Sequence, residues 1–117
     1  MELSVENDNG IVIVTVKADR LDLNNANIFK RAMDPILANA SAVVMDLGPV
    51  RFIDSSGIGA LLSCLRKMNE TQKPLLLASL QRSVRSTMEL VRMHRVFEIY
   101  ESRQEALRAA RQAAPAL

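Results

Sequence analysis

Apolar residues along this chain follow two rhythms, one of strands and one of helices. Leu3 to Asn7 reads as a short strand, and Asp8-Asn9-Gly10 after it has the composition of a hairpin turn. Ile11 to Lys17, β-branched up to its closing lysine, is a second strand. Ala18 to Asn25 is polar, and Asn24 or Asn25 is a plausible helix cap. A first helix is expected from about Ala26 to Asn39, with Ile28, Ala32, Ile36 and Leu37 facing inward. Pro35 conflicts with that span and predicts a break or kink near Asp34. Ala42 to Leu47 is apolar enough for a buried strand, closed by Gly48-Pro49.

The second helix, Ser56 to Thr71, carries the clearest periodicity. Ile58, Leu61, Leu62, Leu65 and Met68 recur at the spacing of one buried face. Pro74 to Ser79 predicts a further strand, and Ser83 to Val91 a helix with Val84, Met88 and Val91 inward. Val96 to Tyr100 predicts a last strand. Ser102 to Ala113 predicts a closing helix, with Ser102 and Glu105 as a capping box and Pro115 as its terminator. The order β-β-α-β-α-β-α-β-α implies one α/β domain over residues 1–117. Its sheet is mixed and mostly parallel, four- to five-stranded, built from β-α repeats.

Composition narrows the function. Apolar residues make up 49% of the 117, enough for a core, but aromatic residues are only 3%, which argues against stacking platforms for bases or sugars. A net charge of +2 implies no obligatory polyanion partner. Arg82, Arg85, Arg92, Arg95, Arg103, Arg108 and Arg111 make the C-terminal third basic, diluted by Glu89, Glu98, Glu101 and Glu105. Solvated helix faces account for this pattern, and direct nucleic-acid binding is not expected. The single cysteine, Cys64, excludes an internal disulfide and suggests a reducing compartment. The N-terminus lacks the basic and apolar regions of a signal peptide, and no apolar run approaches the ~20 residues of a membrane span. A cytoplasmic location is expected.

Enzyme chemistry finds little support. His94 is the only histidine, and one histidine with one cysteine cannot build a metal site. Gly-x-Ser-x-Gly and Gly-x-x-x-x-Gly-Lys are both absent, and Gly57-Ile58-Gly59 is too short for a dinucleotide fingerprint. No catalytic residue, metal or cofactor is expected. Cys64 reads as a small packed residue.

What remains is Asp54-Ser55-Ser56-Gly57, an acid and two hydroxyls where the second helix begins. An ordinary helix cap explains these residue types. Three features favour more. The turn holds more capping groups than one helix needs. Ile58-Gly59-Ala60 leaves it unshielded. Gly59 costs about 1 kcal/mol relative to alanine inside a helix, which close approach of a protein or a phosphate would justify. A helix N-terminus also tolerates a phosphoryl group.

Val50-Arg51-Phe52-Ile53-Asp54-Ser55-Ser56-Gly57-Ile58-Gly59 resembles the signature of STAS domains, and of bacterial anti-sigma factor antagonists in particular. Arg20-Leu21-Asp22, Ser83-Val84-Arg85 and Val96-Phe97-Glu98-Ile99-Tyr100 extend the resemblance over most of the chain. It implies a STAS-like, sporulation anti-sigma antagonist-like fold and a partner-switching role. Ser55 would be phosphorylated by a GHKL-type protein that is both anti-sigma factor and serine kinase. The unmodified form would bind that partner, phosphorylation would release it, and a PP2C-type phosphatase would reset the cycle. Asp54 and Asp22 would flank the acceptor, Ser56 would cap the helix, and Gly57, Ile58 and Gly59 would complete the partner surface. One departure stands out: Val91-Arg92-Met93-His94 occupies a loop where the family often has Thr-Gly or Ser-Gly. The alternative is a non-switching STAS subunit of a lipid- or anion-transport complex.

Overall fold

The computed structural model describes residues 1–113, so the expectation that Pro115 ends the last helix lies outside the described residues. Among the described residues there are seven strands: β1 (Leu3–Asp8), β2 (Ile11–Val16), β3 (Arg20–Leu21), β4 (Ala42–Asp46), β5 (Phe52–Ile53), β6 (Leu75–Ala78) and β7 (Glu98–Tyr100). The helices are α1 (Ala26–Asn39), α2 (Ser55–Glu70), α3 (Arg82–Leu90) and α4 (Arg103–Ala113), with a single 3-10 turn at Met93–Arg95.

Five strands form the main sheet in the order β1-β2-β4-β6-β7. β1 and β2 pair antiparallel through a turn with Asn9 at φ 54 and Gly10 at φ 91, the two left-handed residues that a tight hairpin of this hand requires. The remaining pairings are parallel: Ile11 opposite Ala42, Val43 opposite Leu75, Leu76 opposite Glu98. Side chains alternate between the faces. Val12, Val14, Val43, Met45, Leu75 and Leu77 pack with α1, α2 and α3 on one face. Ile11, Ile13, Ala42, Val44, Leu76 and Ala78 pack with Ala106 and Ala110 of α4 on the other. Because both faces are covered, all six residues of β2 are buried, and so no polar alternation appears in its sequence.

Arg103 fastens α4 to the sheet. Its guanidinium donates to Glu6 on β1, to the Thr15 hydroxyl on β2, and through Nε to Asp46 on β4 at 3.1 Å. The Ser102 cap is present, its hydroxyl accepting from the Glu105 amide at 3.1 Å.

Several details depart from the periodicity. α1 runs unbroken through Pro35, because Pro35 and Arg31, whose carbonyl loses its partner, both lie on the exposed side. Its buried face is Phe29, Met33 and Leu37, while Ile28 is exposed: the two apolar stripes lie about 100° apart, and the larger side chains take the core. Asn25 stands at the cap position, but its side chain accepts from the Asp22 amide and donates to the Arg20 carbonyl instead of capping α1. Val91 is half-exposed and not inward, because α3 ends at Leu90 and the chain turns through Arg92 at φ 61. The last strand starts at Glu98, two residues later than the apolar run.

Candidate functional site

β3 and β5 are two residues each and form a separate parallel pair, Arg20 opposite Phe52 and Leu21 opposite Ile53. The residue after each strand is an aspartate. Asp22 and Asp54 therefore leave this ribbon side by side, one leading toward α1 and the other into α2. Asp22 follows β3 and not the longer second strand. Nothing in the sequence pattern marked either short strand.

Asp54 is the cap of α2, so the helix begins at Ser55, one residue earlier than the periodicity indicated. Both carboxylate oxygens are engaged. Oδ1 accepts from the Gly57 amide at 2.9 Å, and Oδ2 accepts from the Leu23 amide at 3.1 Å, tying α2 to the loop after β3. The Gly57 hydrogen bond is the main reason that the Asp54 carboxyl is held below its ordinary value; the Leu23 amide adds to it and partial desolvation opposes it. Asp22 is buried, its carboxylate accepting from Arg20 Nε and from the Asn24 amide, each at 3.0 Å. Arg20 also lies over the Phe52 ring, 4.1 Å from its centroid.

The two glycines of α2 serve different ends. A Cβ on Gly57 would lie 2.1 Å from the Leu21 carbonyl oxygen, so only glycine lets β3 lie against the first turn of α2. A Cβ on Gly59 would meet nothing within 4 Å, so the chain's own packing supplies no reason for glycine there. Ile58 is buried and Ser56 half-buried.

Ser55 is exposed at the first position of α2. It borders a groove of about 250 Å³ lined with Ile58, Gly59, Leu62, Thr87, Val91 and Met93. Thr87, Val91 and Met93 lie more than thirty residues from Ser55 in the sequence, where only their apolar or hydroxyl character is visible. Around the ribbon, Asp19, Arg20, Arg51, Phe52, Gln81 and Ser83 line a second concavity of about 470 Å³. Here the Ser83 hydroxyl donates to the Arg51 carbonyl at 2.7 Å, holding α3 to the segment before β5.

Other reactive groups lie elsewhere. Cys64 is buried in the α2 face of the core, and desolvation pushes its thiol up to about 12, which keeps it protonated at neutral pH. His94 is exposed on the 3-10 turn. Among the described residues, no three His, Cys, Asp or Glu side chains gather as a metal site, and no helix is long and apolar enough to cross a membrane.

Comparison with known proteins agrees with this architecture. An anti-sigma F factor antagonist of Paenibacillus polymyxa is 21% identical over 109 residues, covering 92% of each chain. The crystal structure of an anti-sigma factor antagonist from Mycobacterium paratuberculosis has a TM-score of 0.85 at 24% identity, covering 94% of this chain and 93% of that one. The anti-sigma factor antagonist SpoIIAA in its unphosphorylated form has a TM-score of 0.78 at 16% identity, covering 95% and 97%. Its phosphorylated form, from Bacillus, has a TM-score of 0.68 at 14% identity, covering 92% and 98%. At these identities the structural likeness establishes the fold. The family model of the STAS domain matches residues 2–106, and the chain belongs to that family.

Proposed function

We propose that this STAS domain is an anti-sigma factor antagonist whose hold on its partner is controlled by phosphorylation of Ser55. The observation that carries the reading is the position of Ser55. It is exposed at the first position of a helix whose cap, Asp54, is already fixed by two amides, and it borders an apolar groove. The hydroxyl is free for another protein's active site. A relative of the same fold, SpoIIAA, exists in unphosphorylated and phosphorylated forms, which supports the same chemistry here.

The electrostatics suit a switch without unfolding. A phosphoserine adds roughly −1.5 to −2 charges at neutral pH. At the N-terminus of α2 the helix dipole offsets part of that charge, so the domain keeps its fold. The neighbouring Asp54 carboxylate, kept ionised by its hydrogen bonds, adds its own negative charge beside the phosphate. A partner that had docked on the neutral serine then meets repulsion and a desolvation cost. In this reading the kinase is of the GHKL type and also the anti-sigma factor, a PP2C-type phosphatase restores the serine, and the domain itself catalyses nothing.

The test is direct. Incubation with ATP and a GHKL-type serine kinase encoded near this protein adds one phosphate, mapped to Ser55 by mass spectrometry. Ser55→Ala abolishes the modification, and the phosphorylated form loses affinity for the kinase. Undiminished phosphorylation of Ser55→Ala would move the acceptor elsewhere, and equal affinity of both forms would end the switching proposal.

A further inference from the structure

We infer that the groove beside Ser55 seats an amphipathic segment of the partner, apolar residues inward and carboxylates along its margin, with the partner's backbone crossing α2 at Gly59. The inference rests on the reading of Ser55 as the switch residue and adds the shape and charge of what docks there.

Gly59 supplies the first argument. A helix-interior glycine weakens its helix. Gly57 is required by the Leu21 carbonyl, but Gly59 is exposed, keeps an ordinary helical backbone, and has no neighbour within 4 Å of where a Cβ would stand. The fold does not need glycine at this position, whereas a second backbone passing close over α2 does.

The groove supplies the second. Ile58, Leu62, Val91 and Met93 make its lining apolar. Val91 is 50% exposed, and its neighbour Leu90 is 84% exposed. Large apolar side chains left in solvent beside a concavity mark a docking surface.

Charge identifies the occupant. Ser55, Gly59, Leu62 and Arg66 fall at i, i+4, i+7 and i+11, one stripe along α2, with exposed Arg66 at the far end. Arg92 stands between the groove residues Val91 and Met93, with Arg95 just beyond, both exposed. The acids on these elements are Glu70, one turn past Arg66, Glu89, two positions before Val91, and the Asp54 cap, whose oxygens are engaged. Arg66 thus continues the α2 stripe one turn past Leu62, and exposed Arg92 and Arg95 are close in sequence to Val91 and Met93, so the elements that build the groove carry positive charge that a segment with carboxylate margins complements. A phosphate on Ser55 would add negative charge at the opposite end and drive out an acidic segment, which connects the modification to release.

The experiment pairs stability with binding, using the kinase that phosphorylates Ser55. Gly59→Ala raises the melting temperature by about 3 °C, as expected for relief of a helix-interior glycine. Gly59→Leu keeps the fold but weakens kinase binding by about a hundredfold, the range of a central interface position. Arg66→Glu weakens binding by about tenfold and flattens its salt dependence. A lower melting temperature for Gly59→Ala would show that the fold does need the glycine and overturn the argument. Binding of Gly59→Leu within about threefold of wild type would refute the groove while leaving Ser55 phosphorylation intact. Unchanged or tighter binding by Arg66→Glu would refute the acidic margin. If the wild-type protein is not phosphorylated at all, the switch reading fails and takes this one with it.

Discussion

Substitution of Gly57 by alanine isolates the contact that assembles the site. The added Cβ would stand 2.1 Å from the Leu21 carbonyl oxygen, and 2.8 Å from both the Leu21 carbonyl carbon and Ile53 Cγ1. To reach 3.0 Å from that oxygen, backbone has to move by at least 0.9 Å, since no flexible side chain can swing aside. Leu21 is fully buried and paired with Ile53, and its carbonyl accepts from the Asp54 amide at 3.4 Å. Movement therefore opens the β3–β5 ribbon and the Asp54–Leu23 hydrogen bond together. Overpacking against backbone belongs at the upper end of the usual range, about 3 kcal/mol, and the helix gains back about 1 kcal/mol from alanine. The net loss is about 2 kcal/mol, or roughly 8 °C in melting temperature for a chain of this size. Urea unfolding followed by far-UV circular dichroism measures it, with Gly59→Ala as the control two residues along. That variant gains up to about 1 kcal/mol, so the pair differs in sign. A Gly57→Ala protein as stable as wild type would refute the close approach of β3 to α2.

Three further outcomes are expected. The Asp54 carboxyl is depressed in the folded state, so its contribution is present above the unfolded value near 3.8 and is lost as pH falls through the folded one. Below about pH 4, wild-type stability falls more steeply with pH than that of Asp54→Asn, and parallel titrations would contradict the hydrogen-bonded cap. Arg103→Met removes the partner of Asp46 Oδ2 and of the Thr15 hydroxyl beneath α4, leaving Asp46 only its Gly48 amide, at a cost of about 2 kcal/mol and with faster amide exchange in that helix; unchanged exchange would show that α4 is held by apolar packing alone. Arg92→Gly releases a non-glycine residue from φ 61 and ψ 23, raising stability by about 1 kcal/mol in the same unfolding assay, and a loss would mean that the Arg92 side chain stabilises the turn.

Long elements were legible because their periods are. β2 and β4 are continuous apolar runs, and the stripe Ile58, Leu61, Met68 marked the buried side of α2. α1 was legible as a helix, but its rotation was not: Ile28, Ala32 and Ile36 make as good an apolar stripe as Phe29, Met33 and Leu37, and only the available core volume chooses between them. The three-residue strand β7 and the turn at Arg92 depend on where α3 stops, which short-range pattern defines poorly.

The sequence by itself determined the fold class, the order of the helices and of the five main-sheet strands, and the presence of Asp54, Ser55 and Gly57 where α2 begins. Those features are local: they follow from side-chain periodicity and from which residues satisfy free amides at a helix start. The tertiary structure decided what surrounds them. β3 and β5 are too short to carry a period, and their pairing joins segments some thirty residues apart, so the Asp54–Leu23 hydrogen bond and the requirement for Gly57 exist only once the chain has folded. The groove formed by α2, α3 and the 3-10 turn is likewise a product of packing, and it leaves Gly59 as the one glycine of α2 that the fold itself does not explain.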